Sequence, residues 1–265
     1  GRFANRIADA SFTIDRKTFH LEANDGNNTN HGGFSGFHNK VWQWEELPDG
    51  IRFSLYSPDG EGGFPGNIRV ITDYRFNEDN ELSVRHYAET DCATYINMTN
   101  HAYFNLCGKG KKITEHRLHI PADRILDTTP AFIPTGKRMN VKNTPFDFTS
   151  LKPIGTDLYA DHEQLLWNKG YNHCYILKDE ISVEMLEAAS LYEPVTGRKM
   201  TVMTDLPAVL LYTAGYYERP DTAVCLETQF YPDTPSHSDF PSCLVLPEKA
   251  YEHCTLFHFQ VQKEE

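Results

Sequence analysis

The most constraining feature of this sequence is a succession of short segments in which apolar and polar residues alternate. Residues 68–76, with apolar side chains at 68, 70, 74 and 76, are an example, and Gly, Pro, Asp or Asn residues bound most such segments. A period of two is typical of β-strands that bury one face, and the bounding residues are those that turns favour. Strands are predicted at 11–15, 18–21, 41–47, 51–56, 68–76, 82–88, 94–100, 118–121, 124–126, 174–177, 182–188, 199–204, 208–213, 223–228 and 255–262.

Helical periodicity is weak by comparison. Residues 151–169 are the one plausible helix, and neither a sustained 3.6-residue period nor an internal repeat is found elsewhere. Many short strands joined by turns indicate an all-β protein, a single large antiparallel β-sandwich. The length of 265 residues and the 16 Phe, 14 Tyr and 3 Trp can supply its core. Because no change of composition marks a boundary, we expect one domain over residues 1–265.

The charge balance narrows the range of partners. The formal net charge is −12, which argues against a nucleic-acid or anionic-membrane partner, since both require a basic surface. A neutral ligand such as a sugar is compatible with this charge. The six cysteines form no CxxC pair and no disulfide framework, so we expect reduced thiols and a cytoplasmic protein.

Common catalytic motifs are missing from the sequence. It contains no GxSxG, HExxH or CxxC spacing and no glycine-rich phosphate loop between a strand and a helix. The remaining candidates are His, Glu, Arg and Asn side chains near strand ends, which suit proton transfer and hydroxyl recognition. We therefore expect acid–base chemistry on a neutral polyol, with no metal and no organic cofactor, because proton transfer needs neither.

One stretch organises these candidates. His101 lies in Thr99-Asn100-His101-Ala102-Tyr103-Phe104-Asn105-Leu106, a predicted β-type run with aromatic residues around the imidazole. We place it at the centre of a sugar site with His31, beside two glycines, and Glu227 as partners. The simpler interpretations are that His101 is a hydrogen-bonded core residue and that His31 is an ordinary loop histidine.

Several ordered motifs together resemble the galactose mutarotase (aldose 1-epimerase) family. They extend in the family's order across essentially the whole chain, and the ordered set is far more specific than any one of them. The matching pieces are Gly1-Arg2-Phe3-Ala4-Asn5-Arg6-Ile7, His31-Gly32-Gly33, Gly36-Phe37, Ser57-Pro58-Asp59-Gly60, Gly63-Phe64-Pro65-Gly66-Asn67, Thr99 to Leu106, Ile133-Pro134-Thr135-Gly136, Thr144-Pro145-Phe146-Asp147-Phe148, Glu227-Thr228-Gln229 and Pro232-Asp233.

The resemblance implies a galactose mutarotase-like antiparallel β-supersandwich that interconverts the α and β anomers of free hexoses such as galactose and glucose. It assigns Glu227 as the base that takes the C1 hydroxyl proton and His101 as the acid that protonates the ring oxygen. His31 would hydrogen-bond near that oxygen, and Asn5 and Arg6 would bind hydroxyls. The alternatives from the residues alone are a solvated strand-end carboxylate for Glu227 and a surface ion pair for Arg6.

The chain departs from the family pattern in three places. The family normally has a segment before the Gly1-Arg2 motif, so we expect this chain to be N-terminally incomplete and to lack N-terminal strands. The family's substrate-binding aspartate is replaced by Asn172, which still forms hydrogen bonds but loses a charge-assisted one. A family glutamine is replaced by Leu210, which cannot bind a hydroxyl.

These departures keep two alternatives open. One is a non-catalytic sugar-binding or sugar-sensing protein on the same fold. The other is an epimerase for a different aldose or for a sugar phosphate, although a phosphate ligand would favour extra Arg or Lys residues near the site. For the main interpretation the expected partner is a free monosaccharide, with the protein a monomer or a homodimer.

Overall fold

The computed structural model describes residues 1–108 and 110–262, and most of the regular structure in that part is β-strand. The strands are β1 Arg6–Ile7, β2 Ser11–Ile14, β3 Lys17–His20, β4 Thr29–Asn30, β5 Gln43–Leu47, β6 Gly50–Ser57, β7 Ile68–Phe76, β8 Glu81–Thr90, β9 Thr94–Tyr95, β10 Arg117–His119, β11 Arg124–Thr128, β12 Pro134–Asn140, β13 Lys152–Pro153, β14 Asn172–Ile176, β15 Leu186–Glu193, β16 Arg198–Thr204, β17 Ala208–Tyr212, β18 Cys225–Gln229, β19 Leu244–Val245 and β20 Tyr251–Val261. The prediction of an all-β, antiparallel fold is confirmed.

Helical structure is sparse in the described residues. The α-helix α1 spans Glu163–Asn168. Short 3₁₀ turns lie at Ala8–Ala10, Phe37–Asn39, Glu61–Gly63, Ile154–Thr156 and Thr234–Ser236. None of the helices in the described chain is long and apolar enough to cross a membrane.

The chain folds into two compact units, each assembled from separate segments. Unit 1 comprises Gly1–Asn77, Leu82–Thr99 and Gln229–Thr255. Unit 2 comprises Glu78–Glu81, Asn100–Thr228 and a stretch that begins at Leu256. The expectations that the chain is one domain and that it is N-terminally incomplete stay predictions.

Unit 1 contains an antiparallel meander of β5, β6, β7 and β8. In β7 the side chains of Ile68 and Val70 are fully buried, whereas Arg69 between them is exposed, as the alternating pattern predicts. At the start of the unit β2 pairs with β3 as a hairpin, and both strands overlap the segments predicted at 11–15 and 18–21. Its two-residue turn is Asp15-Arg16, both with positive φ, which matches the twist of the flanking strands.

A buried arginine cross-links unit 1. The Arg2 guanidinium donates to the Ser57 hydroxyl at 2.8 Å and to the carbonyls of Pro58 and Pro65, both at 2.9 Å. Burial lowers the pKa of Arg2 to about 10, so the group remains charged at neutral pH, and its hydrogen bonds offset the loss of hydration. Arg2 belongs to a family motif, and its contacts here give it a structural role.

Unit 2 contains a five-stranded sheet in the order β12-β11-β14-β17-β18. The three strands β14, β17 and β18 are almost entirely buried, so their sequences show no clean alternation of apolar and polar residues. A second set of strands pairs β13 with β10, β10 with β15 and β15 with β16. Strand β12 is absent from the sequence prediction, which treats that segment only as a motif.

The predicted helix over 151–169 is wrong for most of its length. Lys152–Pro153 is a strand, a 3₁₀ turn follows it, and α1 covers only six residues. Pro153 lacks the amide hydrogen that a helix interior needs, and Gly155 disfavours helix. The His162 side chain caps the start of α1 by accepting from the Gln164 amide at 3.3 Å, and a left-handed Lys169 ends it.

The predicted β-type run around His101 is also wrong. Phe104 forms an isolated bridge with Val224, and the rest of 99–106 has no strand assignment. Asparagine side chains take up the local amides instead. The side-chain oxygen Oδ1 of Asn100 accepts from the Ala102 amide at 3.1 Å, and Oδ1 of Asn105 accepts from the Cys107 amide at 3.0 Å. Such Asx turns compete with strand pairing, so His101 is presented on a loop.

Candidate active site

The two predicted catalytic side chains meet in unit 2. Glu227 is the central residue of β18, and its side chain is 1% exposed. His101 lies on the loop that follows Asn100, and its side chain is 34% exposed. The His101 Nε2 atom is 3.3 Å from Glu227 Oε1. A buried carboxylate therefore faces an imidazole that solvent and small molecules can reach.

The exposure of the two side chains argues against the simpler interpretations of Glu227 and His101. Glu227 is not a solvated strand-end carboxylate, because its strand is buried along its length. His101 is not a sealed core residue, because about a third of its side chain is accessible. A buried carboxylate costs free energy unless a partner compensates, so its place beside a reachable imidazole indicates a functional site.

A thiol completes the surroundings of the imidazole. Cys225 precedes Glu227 by two residues on β18, so the two side chains leave the strand on the same side. The Cys225 Sγ atom is 3.5 Å from His101 Nδ1. Burial, and next the charge of Glu227, raise the pKa of Cys225, so the group remains a thiol at neutral pH.

Tyrosines form an aromatic wall at the same place. The His101 ring centroid is 5.0 Å from that of Tyr103 and 6.2 Å from that of Tyr212, and Tyr103 is 5.7 Å from Tyr217. Burial, followed by the nearby Cys225, Tyr212 and Glu227, raises the pKa of Tyr103 to about 12. The phenol therefore stays protonated at neutral pH. Apolar ring faces and neutral hydroxyls together suit a sugar, which has both C–H and O–H groups.

A cleft of about 650 Å³ shares this wall in unit 2. It is open to solvent and large enough for a small polar ligand. Its lining residues are Tyr103, Asn105, Gly108, Gly110, Tyr217, Glu218, Arg219, Thr222 and Ala223.

Asn172 and Leu210, the two substitutions that the family resemblance singles out, lie on neighbouring strands of the same sheet. Asn172 begins β14 and pairs with Tyr212, and Cys174 pairs with Leu210. Directly paired residues of adjacent strands project from the same face of a sheet. Asn172 is thus a cross-strand neighbour of the tyrosine that contacts His101. Leu210 is buried two residues before that tyrosine, and it gives this face an apolar side chain.

The other predicted sugar ligands, Asn5, Arg6 and His31, lie in unit 1. Asn5 and His31 are bound to each other: the Asn5 amide donates to His31 Nδ1 at 3.2 Å, and the His31 amide donates to the Asn5 carbonyl at 3.0 Å. Arg6 Nε is 2.7 Å from Asp25 Oδ2, and its side chain is largely buried, so it is more than a surface ion pair. Their roles toward a sugar stay predictions.

Of the residues that surround the imidazole, Tyr103 belongs to the aromatic stretch that the sequence places around His101, whereas Cys225 and Tyr212 are not predicted from the sequence. The sequence could have indicated Cys225, because its two-residue spacing from Glu227 places both side chains on one face of a strand. Tyr103 lies on the same short loop as His101. Tyr212 reaches the site only through the pairing of β17 within the sheet, which no local pattern reveals.

Comparison with known proteins identifies the class of protein that this fold and site define. The family model for aldose 1-epimerase matches residues 1–258. The chain belongs to the aldose 1-epimerase family.

Individual relatives agree with this assignment. Galactose mutarotase of Rattus norvegicus is 37% identical over 98% of this chain and 78% of its own length. Aldose 1-epimerase of Escherichia coli K12 is 34% identical over the same shares of the two chains. The structures of the aldose epimerase homologue from C. elegans and of galactose 1-epimerase from Lactobacillus acidophilus match with TM-scores of 0.88 and 0.86, at 26% and 27% identity. They cover 98% of this chain and 81% and 78% of their own, which confirms the mutarotase-like fold.

Proposed function

We propose that this protein is a mutarotase that interconverts the α and β anomers of free hexoses such as galactose and glucose. The observation that carries the proposal is the 3.3 Å approach of His101 Nε2 to Glu227 Oε1, with the carboxylate buried and the imidazole accessible. The relatives named galactose mutarotase and aldose 1-epimerase support the same activity.

The geometry suits the chemistry of ring opening. The C1 hydroxyl oxygen and the ring oxygen of a pyranose are bonded to the same carbon, so the groups that exchange protons with them must be close together. Glu227 takes the proton of the C1 hydroxyl while His101 gives a proton to the ring oxygen, and the C1–ring oxygen bond breaks. Rotation about the C1–C2 bond presents the other face of the aldehyde. The two groups then reverse their roles, and the ring closes with the opposite configuration.

Substrate hydroxyls require partners beyond this pair. In the proposal these partners are Asn172, Asn5, Arg6 and His31. The ion pair of Arg6 with Asp25 supports this role by orienting a guanidinium for hydroxyl contacts. The reaction uses no metal and no organic cofactor. A cytoplasmic location and a monomeric or homodimeric state belong to the same proposal, together with the absence of nucleic-acid and membrane partners.

Leu210 favours a second candidate function, that of a sugar-binding protein that does not catalyse anomer exchange. Its buried aliphatic side chain lies on the sheet that carries Glu227 and cannot hydrogen-bond a hydroxyl. A loss of hydroxyl contacts weakens binding and positioning, and poorly positioned acid–base groups lose rate. In contrast, the net charge of −12 gives no support to a sugar phosphate as the substrate.

Polarimetry on freshly dissolved α-D-galactose and α-D-glucose tests the proposal. The wild-type protein should accelerate the decay of optical rotation above the spontaneous rate, and Glu227→Gln should abolish the acceleration. NMR exchange spectroscopy on equilibrated sugars separates the two candidates. Exchange cross-peaks between the anomers support the mutarotase, whereas saturable binding without exchange would establish the sugar-binding protein instead.

A further inference from the structure

The two ring nitrogens of His101 face groups of different chemistry. Nε2 lies 3.3 Å from the carboxylate of Glu227, and Nδ1 lies 3.5 Å from the sulfur of Cys225. Both partners come from β18 and are buried. One strand therefore determines the surroundings of both ends of the proposed catalytic imidazole.

The Glu227 contact determines which nitrogen carries the proton. In the proposed reaction Glu227 begins as an ionised carboxylate, which only accepts hydrogen bonds, so Nε2 presents its N–H toward Oε1 at 3.3 Å. In a neutral imidazole with a proton on Nε2, Nδ1 carries the lone pair and can only accept. Cys225, whose pKa is raised, retains its S–H and is the donor that meets this lone pair. In an imidazolium, Nδ1 carries N–H and the sulfur accepts from it.

We propose that Cys225 is a positioning residue, whose thiol holds His101 in the Nε2–H tautomer and pairs with Nδ1 in both protonation states. This inference rests on the proposed function, in which the same imidazole must give up and regain a proton within one turnover. A thiol is a weak acceptor. It therefore stabilises the imidazolium less than a carboxylate or a carbonyl would, and leaves His101 a ready proton donor to the ring oxygen.

Substitutions of Cys225 separate this role from simple packing. Cys225→Ser keeps a group that both donates and accepts, while Cys225→Ala removes it. We expect Cys225→Ala to lower kcat roughly five- to tenfold with little change in KM, the size of one lost hydrogen bond, and Cys225→Ser to retain most of the rate. Rescue by serine but not by alanine is not expected of a residue that only fills space.

The decisive measurement is ¹⁵N NMR of the histidine ring nitrogens. The His101 signals are assigned by their absence from the spectrum of His101→Gln. In the wild-type protein Nε2 should carry the proton, and in Cys225→Ala the two neutral tautomers should mix. In Cys225→Ser the tautomer should persist, but the Nδ1 resonance should shift because its partner changes from sulfur to oxygen.

Cys174→Ala is the matched control. Cys174 is also buried, and Glu227 likewise contributes to raising the pKa of its thiol, but its strand is β14 and its paired residue is Leu210. This variant should leave the His101 signals unchanged. An unchanged Nδ1 resonance in Cys225→Ser, or an unchanged tautomer in a folded Cys225→Ala, would overturn the inference. The spectra do not depend on turnover, so an inactive wild-type protein with the expected tautomer would refute the proposed function alone.

Discussion

Two buried glutamates of unit 2 have opposite surroundings. Glu193, 3% exposed, ends β15 and accepts hydrogen bonds from the amides of Val195 and Thr196 and from the Thr196 hydroxyl. Burial alone would raise its pKa, but these hydrogen bonds outweigh the burial and the pKa of Glu193 is lowered. The hydrogen bonds of this carboxylate therefore stabilise the turn that follows β15.

Glu227 is buried to a similar degree, but it faces a titratable ring that is itself partly exposed. The contrast shows that burial of a carboxylate does not by itself identify a catalytic group. The partners do: backbone amides and a hydroxyl keep a structural carboxylate ionised, whereas an accessible imidazole can exchange protons with a substrate. Substitutions at the two glutamates should therefore have opposite effects on activity and stability.

The largest expected effect is that of Glu227→Gln on activity. The amide has nearly the same shape but cannot take the C1 hydroxyl proton, so kcat/KM should fall by about 10²- to 10⁴-fold. Polarimetry measures the rate, and thermal unfolding should show a folded protein. A Glu227→Gln enzyme with more than a tenth of the wild-type rate would contradict the assignment of the base.

Acid pH should reduce stability steeply through two buried histidines. Burial is the main cause that lowers the pKa values of His86, in unit 1, and His173, in unit 2, each to about 3. Between the ordinary histidine pKa and that value, the unfolded chain binds protons that the folded chain does not, so stability falls as the pH falls. The slope should approach about 2.7 kcal/mol per pH unit for the two groups together.

Urea unfolding at a series of pH values measures this slope. Glu193 should add to the loss at the acid end, because a carboxylate with a lowered pKa stabilises the fold above its unfolded pKa and ceases to do so once it is protonated. His173→Asn should flatten the pH dependence. A stability that stays constant between pH 6.5 and 4 would contradict the burial of the two imidazoles.

Glu193→Gln should sharpen the comparison from the structural side. It weakens charge-assisted hydrogen bonds to the turn after β15, so the free energy of unfolding should fall by about 1–3 kcal/mol. Because the Glu193 carboxylate accepts hydrogen bonds from the turn that follows β15, and the proposed proton transfer uses His101 and Glu227, the folded variant should keep its kcat/KM. If mutarotase activity fell while stability did not, the distinction between the two glutamates would be wrong.

The smallest effect is expected from Leu210→Gln. The amide introduces a hydroxyl-binding group on the sheet that carries Glu227, so KM for galactose should fall roughly threefold to tenfold, the size of one added hydrogen bond. Polarimetry at varied sugar concentration gives KM and kcat separately. Val209→Gln, on the opposite face of the same strand, is the matched control and should lose stability without any gain in affinity.

Much of this protein could be predicted without coordinates, for identifiable physical reasons. Alternation in 68–76 predicts the whole of β7, because successive side chains of a strand point to opposite faces and burial of one face leaves a period of two in the sequence. The ordered motifs lead to the family, which the comparisons confirm. The residue types at 101 and 227 predict acid–base chemistry. The helical pattern in 151–169 misleads, because Pro153 and Gly155 interrupt it.

The tertiary structure decided how the site is assembled. The sequence predicts a strand around His101, whereas the side chains of Asn100 and Asn105 bind the amides of Ala102 and Cys107 in turns and leave the imidazole on a loop. Its two partners, Glu227 and the unpredicted Cys225, meet it from a strand far along the chain. Local periodicity records which side of a strand is buried. The distance between side chains remote in sequence depends instead on sheet register and loop path, which arise from the packing of the whole unit.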